Sequence, residues 1–297
     1  MLRELGPGGS GELAAVSVAT PDFLHVAPVR AALEAGLDVF VEKPLAMTLD
    51  EARALADLAR ERGRVLVVNY SQRWLPEHRR VESLVRSGAL GRVAFVESHR
   101  WDAAWVPERM ITWASRTTPI QFMSSHDIDL VLHWLGDRVE TVHAVAHYGA
   151  LGARGLSGVV DGYAVILRFR SGTVASFHSS WVLPDTFPAA ADAHLEMIGA
   201  SGALWLEGNA REMKLYTGDW SERLTFGGPV TATEVNGRLE GAFTESLRAF
   251  LEASRERDLE TPTAASKTLH VVEVQEAIVH AAASGGTVRL YERGGGA

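Results

Sequence analysis

The sequence predicts an α/β fold in which a doubly wound parallel sheet is followed by an α+β domain with a large, mostly antiparallel sheet. Two continuous apolar runs, at 39–41 and 65–68, are typical of parallel strands that are buried on both faces. Segments with helical spacing separate these runs, as right-handed crossover connections require. After residue 140, strand-like runs flank short turn sequences such as Ser171-Gly172, which indicates hairpins.

Composition and charge exclude several classes of protein. The 297 residues are 46% hydrophobic and 22% charged, which is ordinary for a globular chain long enough for two domains. No apolar run approaches the roughly 18 residues of a membrane span, and residues 1–4 do not open a signal peptide. We therefore expect no membrane association and a cytoplasmic location. The absence of Cys excludes disulfides and thiolate metal sites, and the net charge of -8 argues against a nucleic-acid partner.

The predicted elements divide between two domains, 1–90 and 91–297, with a C-terminal helix that packs back on the first. Thr48 and Glu51 form a capping box for one helix, and Gly36 and Gly63 stand where left-handed helix ends are favoured. The predicted elements are, in order, a strand at 14–19, a helix at 28–35, a strand at 39–41, a helix from 48 to 63, a strand at 65–68, a helix at 76–87, a strand at 93–96, a loop at 101–118, a helix from 124 to 136, a strand at 141–147, hairpins at 159–181 and 194–207, helices at 242–257 and 264–284, and a strand at 288–291.

The stretch from Val39 to Pro44 places two charged groups directly after a buried strand. In open α/β sheets, ligands bind at the carboxyl ends of parallel strands, so Glu42 and Lys43 form a candidate site. The alternative is that Lys43 only begins a solvated turn.

The first domain is predicted to be an incomplete Rossmann-like sheet. A dinucleotide-binding sheet opens with a strand, a Gly-rich turn and a helix whose amino end holds the pyrophosphate. Here the glycines at 6, 8, 9 and 11 precede the first predicted strand, so we interpret them as a linker. We therefore expect the chain to start partway through the fold.

The predicted loop at 101–118 contains three tryptophans, Trp101, Trp105 and Trp113, together with Arg109. Aromatic rings beside polar groups suit the C–H faces of a sugar. The alternative is that these rings pin a long loop to the core, as most large aromatic residues do.

The helix from Ser124 to Gly136 is predicted to be capped by Ser125. The negative charge of Asp127, in its first turn, suits the positive end of the helix dipole. His126, Asp129 and His133 share roughly one face, which invites a metal site. A capped helix with a polar face explains the same residues, and no further segment supplies another ligand, so no metal is predicted.

Several of these motifs, in this order and spacing, resemble those of the Gfo/Idh/MocA oxidoreductases over 13–291. The matching segments are 19–25, 41–46, 68–74, 88–93 and 126–129. The resemblance implies an NAD(P)-binding domain in which Thr20, Pro21, His25, Glu42, Lys43 and Arg73 line the nicotinamide side. It also implies that Lys43 and His126 flank the reacting carbon.

Two features depart from the family pattern. Phe122 stands where family members often have an aspartate, and the first strand, Gly-rich turn and helix are missing. Because that turn normally holds the pyrophosphate, we expect weak binding of NAD or NADP.

The expected function is the NAD(P)-dependent interconversion of a secondary alcohol and a ketone on a sugar, polyol or related small molecule. His126 is the expected proton acceptor, because an unperturbed imidazole has a pKa of about 6.5, and Lys43 is the expected hydrogen-bond donor to the reacting oxygen. Trp101, Trp105, Arg109 and Asp129 are the candidate substrate contacts. The rival hypothesis is a non-catalytic sugar- or partner-binding paralogue. We expect a homodimer or homotetramer, because pairing the open faces of two broad sheets removes both from water.

Overall fold

The computed structural model describes residues 13–227 and 232–290, which fold into two compact units. The first unit comprises Met1–Leu75 and Gly228–Glu273, and the second comprises Pro76–Gly227 and Val274–Ala297. This boundary differs from the predicted one at residue 90. The helix that starts at Pro76 joins the second unit through a two-bond ion pair between Glu77 and Arg211 and a contact of 3.0 Å between Glu82 and His133. The predicted linker at 6–11 lies outside the described residues.

Six helices of eight or more residues lie in the described part of the chain. Thr48 caps the second of them by accepting a hydrogen bond from the Glu51 backbone N–H, which confirms the Thr48 half of the predicted capping box. The Glu51 carboxylate accepts from the Thr48 hydroxyl at 3.0 Å. Gly36 and Gly63 adopt φ of 77° and 57°, which confirms the left-handed ends. The helices are α1 (Val26–Glu34), α2 (Leu49–Glu61), α3 (Pro76–Arg86), α4 (Ser125–Leu135), α5 (Ala242–Glu256) and α6 (Ala265–Ser284).

The first unit contains a three-stranded parallel sheet formed by β1 (Ala15–Val18), β2 (Asp38–Val41) and β3 (Leu66–Val68), in that order. Every residue of β2 and β3 is buried, as the apolar runs at 39–41 and 65–68 predict, and the burial of β2 includes Asp38. The buried carboxylate of Asp38 accepts hydrogen bonds from Val65 N, from Ser254 on α5 and from Arg257. These bonds fix the amino ends of the parallel strands to the chain after residue 228.

The second unit is built on a nine-stranded sheet that is mostly antiparallel. Its strands are β4 (Val93–Ala103), β5 (Val139–Tyr148), β6 (Val160–Phe169), β7 (Val174–Leu183), β8 (Ala191–Gly199), β9 (Gly202–Glu207), β10 (Glu212–Thr217), β11 (Ser221–Thr225) and β14 (Thr287–Arg289). Their spatial order is β11-β10-β9-β8-β4-β7-β6-β5-β14, and only β4 and β7 run parallel. A separate hairpin of β12 (Thr233–Val235) and β13 (Arg238–Glu240) belongs to the first unit.

The nine-stranded sheet has two different faces. On β7, Phe177, Ser179 and Trp181 are buried, whereas the residues between them point to the opposite side and are more exposed. Ser124, which precedes α4, hydrogen-bonds Ser179 through their hydroxyls at 2.7 Å, so α4 lies on the side of these buried residues. We call this side the inner face and the opposite side the outer face.

Several predicted bounds differ from the structure. β4 continues to Ala103, so Trp101 belongs to a strand and not to the predicted loop. The rest of that segment forms short helical turns at Val106–Met110 and Ala114–Arg116. Ser124 and not Ser125 is the N-cap of α4, and its side chain caps no backbone N–H. The last predicted strand ends at Arg289, and residue 291 lies outside the described residues. Among the helices described, none is long and apolar enough to cross a membrane.

Candidate functional site

The carboxyl ends of the three parallel strands carry the predicted cofactor-side residues. Thr20 follows β1, Glu42 follows β2 and Asn69 follows β3. The ladder extends into these turns, because Glu42 N donates to Val18 O at 2.9 Å and Asn69 N donates to Val41 O at 2.8 Å. The three turns therefore share one edge of the sheet, where ligands bind in open α/β folds.

Asn69 fixes the carboxylate of Glu42. Its Nδ2 donates to Glu42 Oε1 at 2.8 Å, and its side chain is buried, whereas Glu42 and Lys43 are half-buried. Sequence reasoning missed this role, although Asn69 stands directly after a predicted strand, which is the same signal that singled out Glu42. The Glu42 carboxylate thus keeps one defined position beside Lys43 at the strand ends.

His25 lies beneath this edge and not on its surface. The residue is fully buried, its Nδ1 lies 2.7 Å from Pro44 O, and its Nε2 lies 3.0 Å from Thr20 O. Carbonyl oxygens only accept, so a ring N–H of His25 is the donor in either hydrogen bond. The imidazole therefore lies between the turn after β1 and the Lys43-Pro44 turn after β2, in contact with a carbonyl oxygen of each. Its predicted contact with a cofactor stays a prediction.

Arg73 holds the segment that precedes α6. Its Nη1 donates to Pro262 O at 2.9 Å, and Val68 N donates to Thr263 O at 3.0 Å, within the same unit. The guanidinium is half-buried. Arg73 therefore fixes the segment at 262–263 beside β3, and its predicted cofactor contact stays a prediction.

In the second unit, an ion pair anchors the first turn of α4, which carries His126. Arg100 on β4 donates from Nε and Nη2 to the two carboxylate oxygens of Asp127 at 2.7 and 2.8 Å. Burial opposes the charged form of Arg100, but Asp127 outweighs burial and raises the pKa of the guanidinium. His126 is half-buried and stands directly before this anchored aspartate.

The sequence did not single out Arg100, because its strand was predicted only to residue 96. Side chains alternate between the two faces of a strand, so Val96, Ser98 and Arg100 share one face. Extending the predicted strand to residue 100 would therefore have placed Arg100 on the inner face. The sequence predicted that Asp127 interacts favourably with the helix dipole. In the structure, Asp127 also forms the ion pair with Arg100.

Asp129 and His133 differ in their surroundings. Asp129 is 1% exposed, so it lies in the interior of its unit, whereas His133 Nε2 contacts Glu82 Oε1 at 3.0 Å. Within the described ranges, no group of three His, Asp or Glu residues has the geometry to hold a metal ion.

The tryptophan segment separates into parts on different sides of the sheet. Trp105, Trp113 and Phe122 pack partly buried against a core cluster that contains Trp181, and the Phe122 and Trp181 rings meet edge to face at 6.2 Å. Trp101 instead lies on the outer face, where its ring stacks on His99 at 4.1 Å. Trp101 is therefore on the side of the sheet opposite α4 and His126, and Arg109 is exposed. Of the three predicted substrate contacts from this segment, Trp105 packs with the inner-face cluster, Trp101 lies on the outer face, and Arg109 is exposed.

Each unit, taken by itself, offers one group that can take part in proton or hydrogen-bond chemistry. The first unit presents an amine, Lys43, next to a positioned carboxylate, and the second presents an imidazole, His126, on an anchored helix. An amine can donate to a developing oxyanion, and an imidazole can accept a proton near neutral pH.

Two protein-family models match the chain. The model described as the oxidoreductase family, NAD-binding Rossmann fold, matches residues 7–70, and the model described as the GFO/IDH/MocA C-terminal domain matches residues 78–205. Together they cover the strand-end turns of the first unit and the α4 region of the second.

Individual relatives agree with these matches. The 1,5-anhydro-D-fructose reductase of Ensifer adhaerens is 31% identical over 201 residues, which are 66% of this chain and 57% of that protein. The chain thus spans just over half the length of this relative. The inositol 2-dehydrogenase of Rhizobium meliloti (strain 1021) is 25% identical over 92% of this chain and 80% of that protein. An inositol dehydrogenase homologue from Azotobacter vinelandii, solved with NADH and myo-inositol, has the same fold, with a TM-score of 0.76 at 22% identity over 93% of this chain and 78% of that chain.

Proposed function

Because this chain belongs to the Gfo/Idh/MocA oxidoreductase family, we propose that it interconverts a secondary alcohol and a ketone on a sugar or polyol, with NAD or NADP as the hydride carrier. The observation that carries the proposal is the Glu42-Lys43-Pro44 turn. It stands at the carboxyl ends of three parallel strands and is held by Asn69 from one side and by His25 from below.

The residues at this edge fit a nicotinamide. Thr20, Pro21, Glu42, Lys43 and Arg73 lie in the turns that follow the strands, and they would hold the cofactor's reactive ring against the substrate. When bound, the nicotinamide accepts or supplies the hydride. His25 would act through the turns that it connects.

The protein's own task is to manage one proton. In the oxidative direction, His126 would accept the hydroxyl proton of the substrate, while Lys43 would donate a hydrogen bond to the oxygen as it gains negative character. The Arg100–Asp127 pair would keep the helix that presents His126 in place. Asp129 would support the same helix from the interior of its unit.

The substrate class follows from the relatives and from Phe122. The relatives named above act on, or were solved with, small polyhydroxylated rings. Phe122 stands where the family often has an aspartate, and its ring packs on Trp181 with Trp105 close to the same cluster. We therefore propose a neutral substrate that turns an apolar ring face toward these side chains. These matches give no support to the rival hypothesis of a non-catalytic binding protein.

A kinetic and binding experiment tests the proposal. NAD or NADP would be mixed with myo-inositol, D-glucose or 1,5-anhydro-D-glucitol, and NADH or NADPH formation would be followed by absorbance. Calorimetry with NADH would measure cofactor affinity in parallel. We expect turnover with at least one polyol and its loss in Lys43→Met, which retains the stem but removes the amine. Absence both of turnover and of NADH binding would contradict the proposed function.

We also propose a homodimer or homotetramer in the cytoplasm. On the outer face, Phe95, Ile198, Ala203 and Tyr216 are direct cross-strand neighbours on β4, β8, β9 and β10, and Phe95 and Tyr216 are each more than half exposed. Pairing two copies along this apolar row would remove it from water. Light scattering across micromolar concentrations tests the proposal, and a persistent monomer would contradict it.

A further inference from the structure

Three loops of the second unit meet at one end of the nine-stranded sheet. They follow β4, β5 and β7, which run in the same direction because β4 and β7 are parallel and β6 is antiparallel to both β5 and β7. Ala104 N donates to Leu183 O at 3.0 Å, so a backbone hydrogen bond joins the loop after β4 to the end of β7. The loop after β4 is the one that carries Trp105 and Arg109.

A cluster of charged side chains ties these three loops together. Arg154, after β5, donates from Nε and Nη2 to the two carboxylate oxygens of Glu108, after β4, with the Nη2 bond at 3.1 Å. The same Nη2 donates to Oδ2 of Asp185, after β7, at 2.8 Å. A planar guanidinium can hold two carboxylates in fixed directions at once, which a lysine ammonium does not. We call Arg154, Glu108 and Asp185 the loop clasp.

The backbone that leads to Arg154 is itself anchored. Asp161 on β6 is 1% exposed, and its carboxylate accepts hydrogen bonds from Ala150 N at 2.8 Å and from Leu151 N at 2.7 Å. These bonds fix the short helical turn Ala150–Ala153, which Arg154 directly follows. The loop clasp therefore attaches the other two loops to a point that the sheet already holds.

The loop clasp joins the segments that build the inner-face core cluster. Val106 and Leu151 are buried members of that cluster, whereas Trp105 packs against it partly buried. Val106 stands two residues before Glu108, and Leu151 stands three residues before Arg154. The ion pairs thus connect the two chain segments whose apolar side chains meet beneath Trp105.

The turn that carries Glu108 has few hydrogen bonds of its own. Residues 106–110 form a single turn of π-helix, closed by Ile111 N, which donates to Val106 O at 3.0 Å. Isolated helical turns are costly to form, and single π turns are rare and often occur at functional sites. A tie from outside the turn therefore has a large influence on where Trp105 lies.

The exposure of the loop clasp allows its members to be replaced one at a time. Exposed isolated ion pairs contribute little, but two-bond geometry within a network is the exception. The side chains are 16% exposed for Glu108, 38% for Arg154 and 41% for Asp185, so removing Arg154 leaves both carboxylates in contact with water. The hydrogen bond from Arg154 also holds the pKa of Glu108 below its ordinary value, which keeps this carboxylate ionised at neutral pH.

We infer that Arg154 is a positioning residue for substrate binding, which acts through Glu108 and Asp185 by fixing the loop that carries Trp105. The inference rests on the proposed function, in which Trp105 lies with the residues that face the substrate ring. A substrate that meets a loop already in place loses no binding free energy by ordering it. The loop clasp should therefore affect substrate affinity and leave the chemical step unchanged.

Steady-state kinetics of Arg154→Met measures this effect. Met keeps an apolar stem but donates no hydrogen bond. With whichever of myo-inositol, D-glucose and 1,5-anhydro-D-glucitol the wild type turns over, we expect KM to rise by about threefold to tenfold, because the substrate must then order the loop. Both kcat and the affinity for NADH should change by less than about twofold. Arg154→Lys, which keeps the charge without the planar fork, should give an intermediate KM.

Arg223→Met is the matched control. Arg223 is an exposed residue on β11 that donates to Glu212 Oε2 at 2.7 Å, so this variant also breaks an Arg–Glu pair. β11 is the edge strand four positions from β4 in the sheet, away from the three loops. KM should therefore equal that of the wild type.

The position of Trp105 is measured separately, without substrate, by ¹⁹F NMR of protein labelled with 5-fluorotryptophan. The chain has eight tryptophans, and the Trp105 signal is the one that disappears in Trp105→Phe. We expect this signal to shift or broaden in Arg154→Met and to stay unchanged in Arg223→Met. Should Arg154→Met fail to fold, Glu108→Gln removes the charge on the other side of the same pair and should give the same results.

Three outcomes would overturn the inference: an unchanged Trp105 signal in Arg154→Met, an unchanged KM, or an equal loss of kcat and of NADH affinity, since the last would indicate a general structural defect. A wild type that neither turns over a polyol nor binds NADH would instead contradict the proposed function. The two failures are distinguishable, because the ¹⁹F measurement requires neither substrate nor cofactor.

Discussion

The inner and outer faces of the nine-stranded sheet show how two successive residues of one strand have different surroundings. Arg100 points inward to a two-bond ion pair with Asp127 on the helix of His126, whereas Trp101 points outward and stacks on His99. Strand geometry alone imposes this separation, because neighbouring side chains alternate between faces. On this strand, the inner face therefore carries a residue of a buried ion pair, and the outer face carries stacked rings.

The largest difference between the faces is expected in turnover. His126→Ala on the inner side should lower turnover by about a hundred- to ten-thousand-fold, since it removes a general base, and it should leave cofactor affinity nearly unchanged. His143→Ala provides the matched control, because His143 is exposed on the outer face and is not part of the proposed active site. Steady-state kinetics with the best polyol substrate measures both. Equal losses in the two variants would show that His126 has no special role.

The next largest difference is expected in stability. Arg100→Met leaves the Asp127 carboxylate buried without its ion-pair partner, and it should lower the free energy of unfolding by about 3–5 kcal/mol. Glu97→Ala, three residues earlier on the exposed outer side of the same strand, should change it by less than about 0.5 kcal/mol. Urea denaturation followed by circular dichroism compares the two. A similar cost for both would show that the ion pair contributes little to folding.

Gly162→Ala tests a close backbone approach between β6 and β7. The added Cβ would meet Ser179 O at 2.5 Å, so strands β6 and β7 would have to separate, at a cost of about 1–3 kcal/mol. Ala164→Ser, two residues along and exposed, should be almost neutral. Thermal denaturation of both variants measures the difference, and a neutral Gly162→Ala would mean that the strands separate freely.

The smallest effect concerns pH. Burial lowers the pKa of His99, and the nearby Asp192 opposes burial only in part. The unfolded chain therefore binds the proton more tightly than the folded one, so stability is fully present above the ordinary value of about 6.5 and declines as pH falls toward the folded pKa. Because His99 is about a quarter exposed, the change should be below about 1 kcal/mol. Denaturation at about pH 7.5 and about pH 5 should show a smaller loss in His99→Gln than in the wild type, while His143→Gln should behave like the wild type.

Local patterns determined much of the fold. The capping box of Thr48 and Glu51, the glycines at 36 and 63 and the continuous apolar runs were each predictable, because caps and strand periodicity depend on residues only a few positions apart. The position of Glu42 and Lys43 at a strand end was predictable for the same reason, since a strand and the turn after it are contiguous. The function of Lys43 stays a prediction, as does that of His126.

Tertiary structure decided which distant groups meet. Arg100 and Asp127 are 27 residues apart, and His25 and Pro44 are 19 apart, so no local pattern predicts their contacts. The face on which Trp101 lies depended on where β4 ends, because a strand that continues to Ala103 forces alternation through residue 101, whereas a loop does not. The order of the nine strands then brought Arg154 into contact with Glu108 and Asp185, which follow different strands. That arrangement comes from hydrogen-bond register between strands far apart in the chain, which the residues of each strand do not specify alone.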